Sequence, residues 1–235
     1  MDLFQDMMVV SRGSFSLLVA RFSKYEALAH YRIGTLAYYH INLLTFRKIV
    51  MLSRLFAFWF KLSGWKIVGQ FPFDIPKMVL AVGPHTSAWD FVVGVASKRL
   101  IPVENAHFLG KKELFDGPFG WFFRSMGGIP VDRTSSKGLV QQVVEKIQET
   151  DRFRLGMSPE GTRKKVEKLK TGFYHIAKEA GIPILLIGLD FSKKEVIIGE
   201  LLYPSENKED DFRKIHTFFK NIRGKKAELG IGDYV

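Results

Sequence analysis

In the stretch GPHTSAWDF, residues 83–91, His85 and Asp90 are separated by four residues. An imidazole and a carboxylate so placed can act as a general base and the group that orients it, provided the chain bends between them. Residues five apart do not share a helical face, so the pair cannot work if both are helical. The apolar run MVLAV ahead of Gly83-Pro84 reads as a buried strand, and Trp89, Phe91 and Val95 read as a helix. His85 therefore falls in a strand-to-helix loop, at the strand end where α/β sheets place their sites. With Ser87 as N-cap, Asp90 becomes the third helical residue and points back toward the helix start, so the two side chains can meet. The letters Ser87-Ala-Trp-Asp90 also fit a capping box, in which Asp90 only caps the helix. Spacing alone leaves both readings open.

Three further stretches place polar side chains at strand ends. MSPEGTRKK, residues 157–165, follows a strand pattern and joins a carboxylate, a flexible turn, a hydroxyl and a guanidinium in Glu160, Gly161, Thr162 and Arg163. GGIPVDR, residues 127–133, delivers Arg133 after a short strand, and GKKEL, residues 110–114, supplies Lys111 and Lys112. Cations converging on one rim suit a phosphate, with arginine giving bidentate contacts.

The elements that must position these residues follow from the apolar pattern. It predicts strands at Lys66–Gln70, Met78–Val82, His107–Gly110, Ile129–Val131, Arg152–Met157, Ile184–Asp190 and Glu195–Leu201. It predicts helices at Ser87–Lys98, Leu139–Thr150, Gly172–Ala180 and Asp210–Lys220. Strands alternating with helices argue for an α/β domain with a mixed, mainly parallel sheet flanked by helices. Only Phe191–Lys194 separates the last two strands, so an antiparallel hairpin is expected to close one edge. The basic tail 213–226, broken by Gly224, reads as a solvated helix and its end.

Ahead of that domain, residues 32–62 form a different pattern. On a helical wheel Arg32, Arg47, Arg54 and Lys61 fall within roughly 60° of one another. Tyr38, Ile41, Ile49, Leu52, Phe56 and Trp59 lie opposite, as expected of a helix in a lipid headgroup layer; the alternative is a helix packed on the domain core. The longest uncharged stretch there, Ile33–Phe46, has 14 residues, short of the ~20 that span a bilayer. The N-terminus does not read as a secretory signal. The expected organisation is a membrane-interface segment over residues 1–63 and an α/β domain over 64–235.

Composition narrows the chemistry. The 235 residues include no Cys, which removes thiol nucleophiles, disulfides and thiolate metal sites. The formal net charge of +11 calls for an anionic partner, be it membrane, nucleic acid or phosphorylated substrate. No nucleic-acid-binding motif is visible, and a metal-dependent hydrolase built on His85, Asp90 and Glu160 would lack a second His at ligand spacing. No Gly-x-Ser-x-Gly elbow occurs. His175 reads as packed or solvated, and His30, His40, His107 and His216 are given no role.

The four stretches together resemble the glycerolipid acyltransferases of the lysophosphatidic acid acyltransferase (PlsC) type. That family shows His-x4-Asp, a Gly-x-Ile-x-x-x-Arg-like block, Pro-Glu-Gly-Thr-Arg and a Pro-containing strand. Here these read, in the same order, as His85/Asp90, Gly127–Arg133, Pro159–Arg163 and Ile182-Pro183-Ile184, over roughly residues 78–190. The departures are Pro84, where many members have Asn, and Leu186, where a second Pro is common. The resemblance implies a membrane-associated O-acyltransferase in which His85 is the general base and Asp90 its orienting partner. It implies that Glu160, Gly161, Thr162 and Arg163, assisted by Arg133 and Lys111, hold the acceptor's glycerol phosphate.

The implied reaction moves an acyl chain from acyl-CoA or acyl carrier protein to a lysophospholipid hydroxyl, foremost 1-acyl-glycerol-3-phosphate. A hydroxyl is a poor nucleophile at neutral pH, and an imidazole of ordinary pKa near ~6.5 can take its proton. The thioester is already activated, so no metal, cofactor or serine nucleophile is needed, and backbone amides at the start of the Ser87 helix are candidates for the oxyanion site. The implied location is the cytoplasmic face of a bacterial inner membrane, as a peripheral or monotopic protein. The competing readings are an acyltransferase for an aminolipid-type lysolipid and a non-catalytic basic lipid-binding module.

Overall fold

A computed structural model describes residues 43–101, 103, 106–131 and 138–231, with the side chains of helix residues 43–50, 52 and 53 set aside. The chain divides into two units, Met1–Arg47 and Lys48–Val235. Of the first, residues 43–47 are described, as helix; Arg32, Tyr38 and Ile41 lie outside the described residues.

Seven strands form one sheet: β1 (Lys66–Val68), β2 (Lys77–Gly83), β3 (Ala106–Lys111), β4 (Gly128–Val131), β5 (Phe153–Met157), β6 (Ile184–Asp190) and β7 (Glu195–Leu202). Their spatial order is β1-β7-β6-β2-β5-β3-β4. All pairings are parallel except the β6–β7 hairpin. The hairpin does not close the sheet. β1 adds outside β7, pairing Lys66 with Glu195 and Val68 with Ile197. The three-residue strand completes an edge that β7 alone would have exposed.

Alternation along the strands builds a core on each face of the sheet. Val79 and Ala81 of β2 and Ile184 and Leu186 of β6 enter one cluster, Met78, Leu80, Leu185 and Ile187 the other. The first face is covered by α5 (Leu139–Gln148), α6 (Gly172–Ala180) and α7 (Lys208–Lys220). Their inward residues recur at helical spacing, as in Val143, Val144 and Ile147, or Asp211, Ile215 and Phe219. Asn207 caps α7 by accepting from the Asp210 N–H at 3.2 Å, and three acidic residues in its first turn suit the positive helix start.

The second face is covered by α2 (Trp89–Leu100) and by Phe56, Trp59 and Phe60 near the C-terminal end of α1 (Leu43–Leu62). Two short helices, α3 (Lys112–Asp116) and α4 (Gly120–Ser125), lie between β3 and β4. At five and six residues they are too brief to show a period in the sequence.

α1 departs from the two-faced helix expected of it. Phe60 is 1% exposed, and Phe56 and Trp59 pack beside it against the core. These aromatics therefore serve the domain. A second apolar row, Met51, Leu55, Phe58 and Leu62, stands in solvent at i, i+4, i+7 and i+11, with the exposed cations Arg54 and Lys61 along its flank. Among the described residues no helix is long and apolar enough to cross a membrane.

Candidate active site

β2 stops at Gly83, the Gly83–Pro84 peptide is cis, and α2 begins at Trp89. Asp90, in the first turn, reaches back into the loop. Its Oδ2 accepts from the backbone N–H of Thr86 and of Ser87, each at 2.8 Å, and lies 3.0 Å from His85 Nδ1. Helix cap and His–Asp contact are thus one arrangement and share one oxygen atom. The other oxygen, Oδ1, is buried and finds no hydrogen-bond partner among the described residues. A carboxylate only accepts, so in the neutral ring Nδ1 carries the hydrogen and Nε2 the lone pair. The imidazole is 34% exposed and the carboxylate 2%.

Two details differ from the sequence expectation. The N-cap is Ala88, with no side-chain cap, and Ser87 Oγ accepts from the Trp89 N–H at 3.2 Å. The amides proposed as an oxyanion site are mostly engaged. Thr86 and Ser87 donate to Asp90, Trp89 to Ser87 Oγ, Asp90 to Ser87 O and Phe91 to Ala88 O. Donors already satisfied within the turn are poorly placed to bind a ligand.

The chain leaving β5 forms a turn closed by a Gly161 N–H to Ser158 O bond of 3.1 Å. Gly161 has φ 65°, in the left-handed region that glycine enters without penalty. The turn drives Glu160 inward, to 1% exposure. Its Oε1 accepts the His85 backbone N–H at 2.7 Å and its Oε2 accepts the Ser158 hydroxyl at 2.8 Å. Burial pushes the Glu160 carboxyl above its ordinary value of 4.5, and those hydrogen bonds pull partly against the rise. Glu160 is therefore not presented to an acceptor at the rim, contrary to the role implied for it; it ties down the loop that bears His85.

The remaining residues divide by exposure. Arg163 and Lys111 are exposed, whereas Thr162 is half-buried, its Oγ1 accepting the Lys164 N–H at 3.3 Å. Arg133 lies outside the described residues. β2, β5 and β3 are neighbours in parallel, with Ala81 beside Met157 and Phe108 beside Gly156. The His85 loop, the Glu160–Arg163 turn and Lys111 thus leave the same edge of the sheet, on strands ~4.8 Å apart.

Two hydroxyls not singled out from the sequence join the network, Ser158 and Thr86. Ser158 could have been suspected from its place in the MSPEGTR block; nothing in the sequence marks Thr86. An aromatic rim completes the site. Trp89 stacks on Trp59 of α1 at 5.7 Å, and Phe91 meets Phe108 at 5.8 Å, both Trp89 and Phe91 remaining exposed. Among the described residues no group of three or more His, Asp or Glu side chains is set to hold a metal ion.

A partly exposed imidazole against a buried carboxylate, with cations on adjacent strand ends and an apolar rim, is suited to proton abstraction from an amphiphilic, anionic substrate. Comparison with known proteins gives the same direction. A 1-acyl-sn-glycerol-3-phosphate acyltransferase of Haemophilus influenzae is 30% identical over 203 residues, covering 76% of this chain and 82% of that one. The Escherichia coli protein of the same name is 28% identical over 190 residues, covering 72% and 76%. The crystal structure of PlsC, the 1-acyl-sn-glycerophosphate acyltransferase of Thermotoga maritima, shares the fold with a TM-score of 0.50 at 18% identity, covering 83% and 86%. The acyltransferase family model matches residues 70–189, a span that opens before β2 and closes within β6. The chain belongs to the acyltransferase family, and it is an acyl-transfer enzyme.

Proposed function

We propose that the enzyme transfers an acyl chain from an acyl thioester, acyl-CoA or acyl carrier protein, to the free hydroxyl of 1-acyl-glycerol-3-phosphate, giving phosphatidic acid. The observation that carries this reading is the 3.0 Å contact between His85 Nδ1 and buried Asp90. Nε2 takes the hydroxyl proton as the oxygen attacks the thioester carbonyl, and Asp90 orients the ring and stabilises the imidazolium. Collapse of the tetrahedral intermediate expels the thiolate, which takes the proton from the His85 imidazolium and restores the neutral base. Glu160 holds the His85 backbone; Arg163, Lys111 and Arg133 take the acceptor phosphate. Lysophosphatidate is the acceptor named for the two bacterial relatives, and its phosphate and chain match the cationic, aromatic-rimmed site.

Residues 1–63 and the row Met51, Leu55, Phe58 and Leu62 seat the enzyme on the membrane that holds its acceptor. Exposed apolar side chains flanked by cations are the chemistry of a headgroup layer. The enzyme needs no metal or organic cofactor for this reaction. The test is to incubate purified enzyme with acyl-CoA and a panel of lysolipids, with and without His85→Ala, and to identify products by mass spectrometry. Phosphatidate formed by wild type and lost in His85→Ala supports the reading. Acylation of an aminolipid-type lysolipid instead, or an active His85→Ala, would refute it.

A further inference from the structure

The segment after α7 does not end in solvent as its charge suggested. Ile222 is buried so close to Gly188 of β6 that a Cβ there would stand 2.3 Å from Ile222 Cδ1. Arg223 O accepts the Phe191 N–H at 2.8 Å. Gly224 is buried against Thr86, where an added Cβ would lie 2.7 Å from both Thr86 Cγ2 and Oγ1. The Lys226 N–H then donates to Thr86 Oγ1 at 3.2 Å. Thr86 is 2% exposed and is the residue immediately after His85. This segment lies beyond residue 189, where the acyltransferase family model stops matching.

We propose that Ile222–Lys226 is a positioning clasp of the active site, gripping Thr86 so that His85 Nε2 is held against the hydroxyl it deprotonates. The physical need is plain. The imidazole is 34% exposed and Asp90 holds its Nδ1 side, so the place of Nε2 follows the loop backbone. That backbone is tied from beneath by Glu160 at the His85 N–H and from within by Asp90 at the Thr86 N–H. The clasp supplies the third tie, to the Thr86 side chain, from a part of the chain 140 residues away. Gly224 serves here because a Cβ would collide with the Thr86 side chain.

The proposal rests on His85 being the base, and the experiment separates the two. Full-length Thr86→Val, Thr86→Ser, Gly224→Ala and His85→Ala are assayed with a long-chain acyl-CoA and 1-acyl-glycerol-3-phosphate in mixed micelles. kcat and both KM values are measured per folded molecule, with folding followed by circular dichroism and melting temperature. Thr86→Val keeps the shape and removes the acceptor for Lys226; Gly224→Ala pushes the clasp away. Because displacement of a reacting group by about 1 Å costs up to about 10²-fold, both should lower kcat at least about tenfold and leave the KM values within about twofold. Thr86→Ser, which restores the oxygen, should recover at least about half of the wild-type kcat.

Wild-type kcat in folded Thr86→Val and Gly224→Ala overturns the clasp, whatever their melting temperatures. A raised KM at unchanged kcat overturns it too, since the segment would then bind substrate. Should Gly224→Ala fail to fold, the Thr86→Val and Thr86→Ser pair decides, and equal kcat in these two overturns the proposal. Activity in His85→Ala overturns the underlying base assignment; an inactive His85→Ala beside fully active clasp variants leaves the base standing and removes the clasp.

Discussion

Asp90 Oδ2 serves three groups at once, the Thr86 and Ser87 amides and His85 Nδ1. An asparagine oxygen in the place of Oδ2 can serve the same three groups, but it carries no charge to stabilise the imidazolium, and its NH2 would lie where Oδ1 finds no partner among the described residues. Asp90→Asn should therefore fold, lose about 1 kcal/mol of stability as a weakened cap, and drop kcat toward the 10⁴-fold scale known for an Asp-to-Asn change in the serine-protease triad. Ser87→Ala removes only the tie to Trp89 and should melt slightly lower while retaining turnover. Activity retained in Asp90→Asn would reduce Asp90 to a cap.

Glu160 permits a second test at the same scale. Glu160→Ala strands the part-buried His85 N–H and should cost about 1–3 kcal/mol together with most of the activity. Glu160→Gln keeps an acceptor and removes a charge whose burial is unfavourable. A raised pKa means the folded state binds the Glu160 proton more tightly than the unfolded chain does. Its contribution is thus present in acid and lost as the pH rises above the ordinary value of 4.5. The melting temperature of Glu160→Gln relative to wild type should accordingly climb with pH through that window. A flat difference would mean that Glu160 is not buried as an acid.

Among the elements, α1 separates two kinds of apolar residue that a helical wheel does not distinguish. Phe60 fills the core, and Phe60→Ala should cost about 3–5 kcal/mol. Phe58, two residues earlier and 66% exposed, should accept serine with almost no change in melting temperature. The double variant Leu55→Ser/Phe58→Ser should instead weaken flotation with anionic liposomes, and undiminished flotation would show that this row does not touch lipid. Such substitutions are cleaner than truncation at residue 62, because removing Phe60 would open the domain core.

For the molecule as a whole, the sheet order sets the reaction edge. β2, β5 and β3 are adjacent although β5 follows β3 and β4 in sequence, and this puts Arg163 and Lys111 at the same end of the sheet as the His85 loop. Arg163→Lys keeps the charge and loses the bidentate fork, so the acceptor KM should rise strongly while the donor KM changes little. Equal shifts in both would place Arg163 elsewhere in the cycle. The net charge of +11 should make liposome binding fall with added salt, but only in part, since apolar insertion is not screened.

The local chemistry of the chain determined most of the element list. Gly172–Ala180 and Ile184–Asp190 form over the ranges their periodicity and breakers predict, and the other long elements shift by a few residues at their ends. It also determined that His85 follows a strand and that Asp90 can turn back to it, because a loop and one helical turn are local events. What lay beyond local reach was decided by burial of the whole chain. Glu160 could have faced solvent or interior, and the tight Gly161 turn together with the amide of a residue 75 positions away turned it inward. Phe56 and Trp59 could have faced lipid or core, and the open face of the sheet claimed them. Gly224 looked like the end of a helix, and Thr86, far back in the sequence, made it a contact. Periodicity reports which side of an element is apolar. Only the packed chain decides what that side, or a polar group in a loop, will meet.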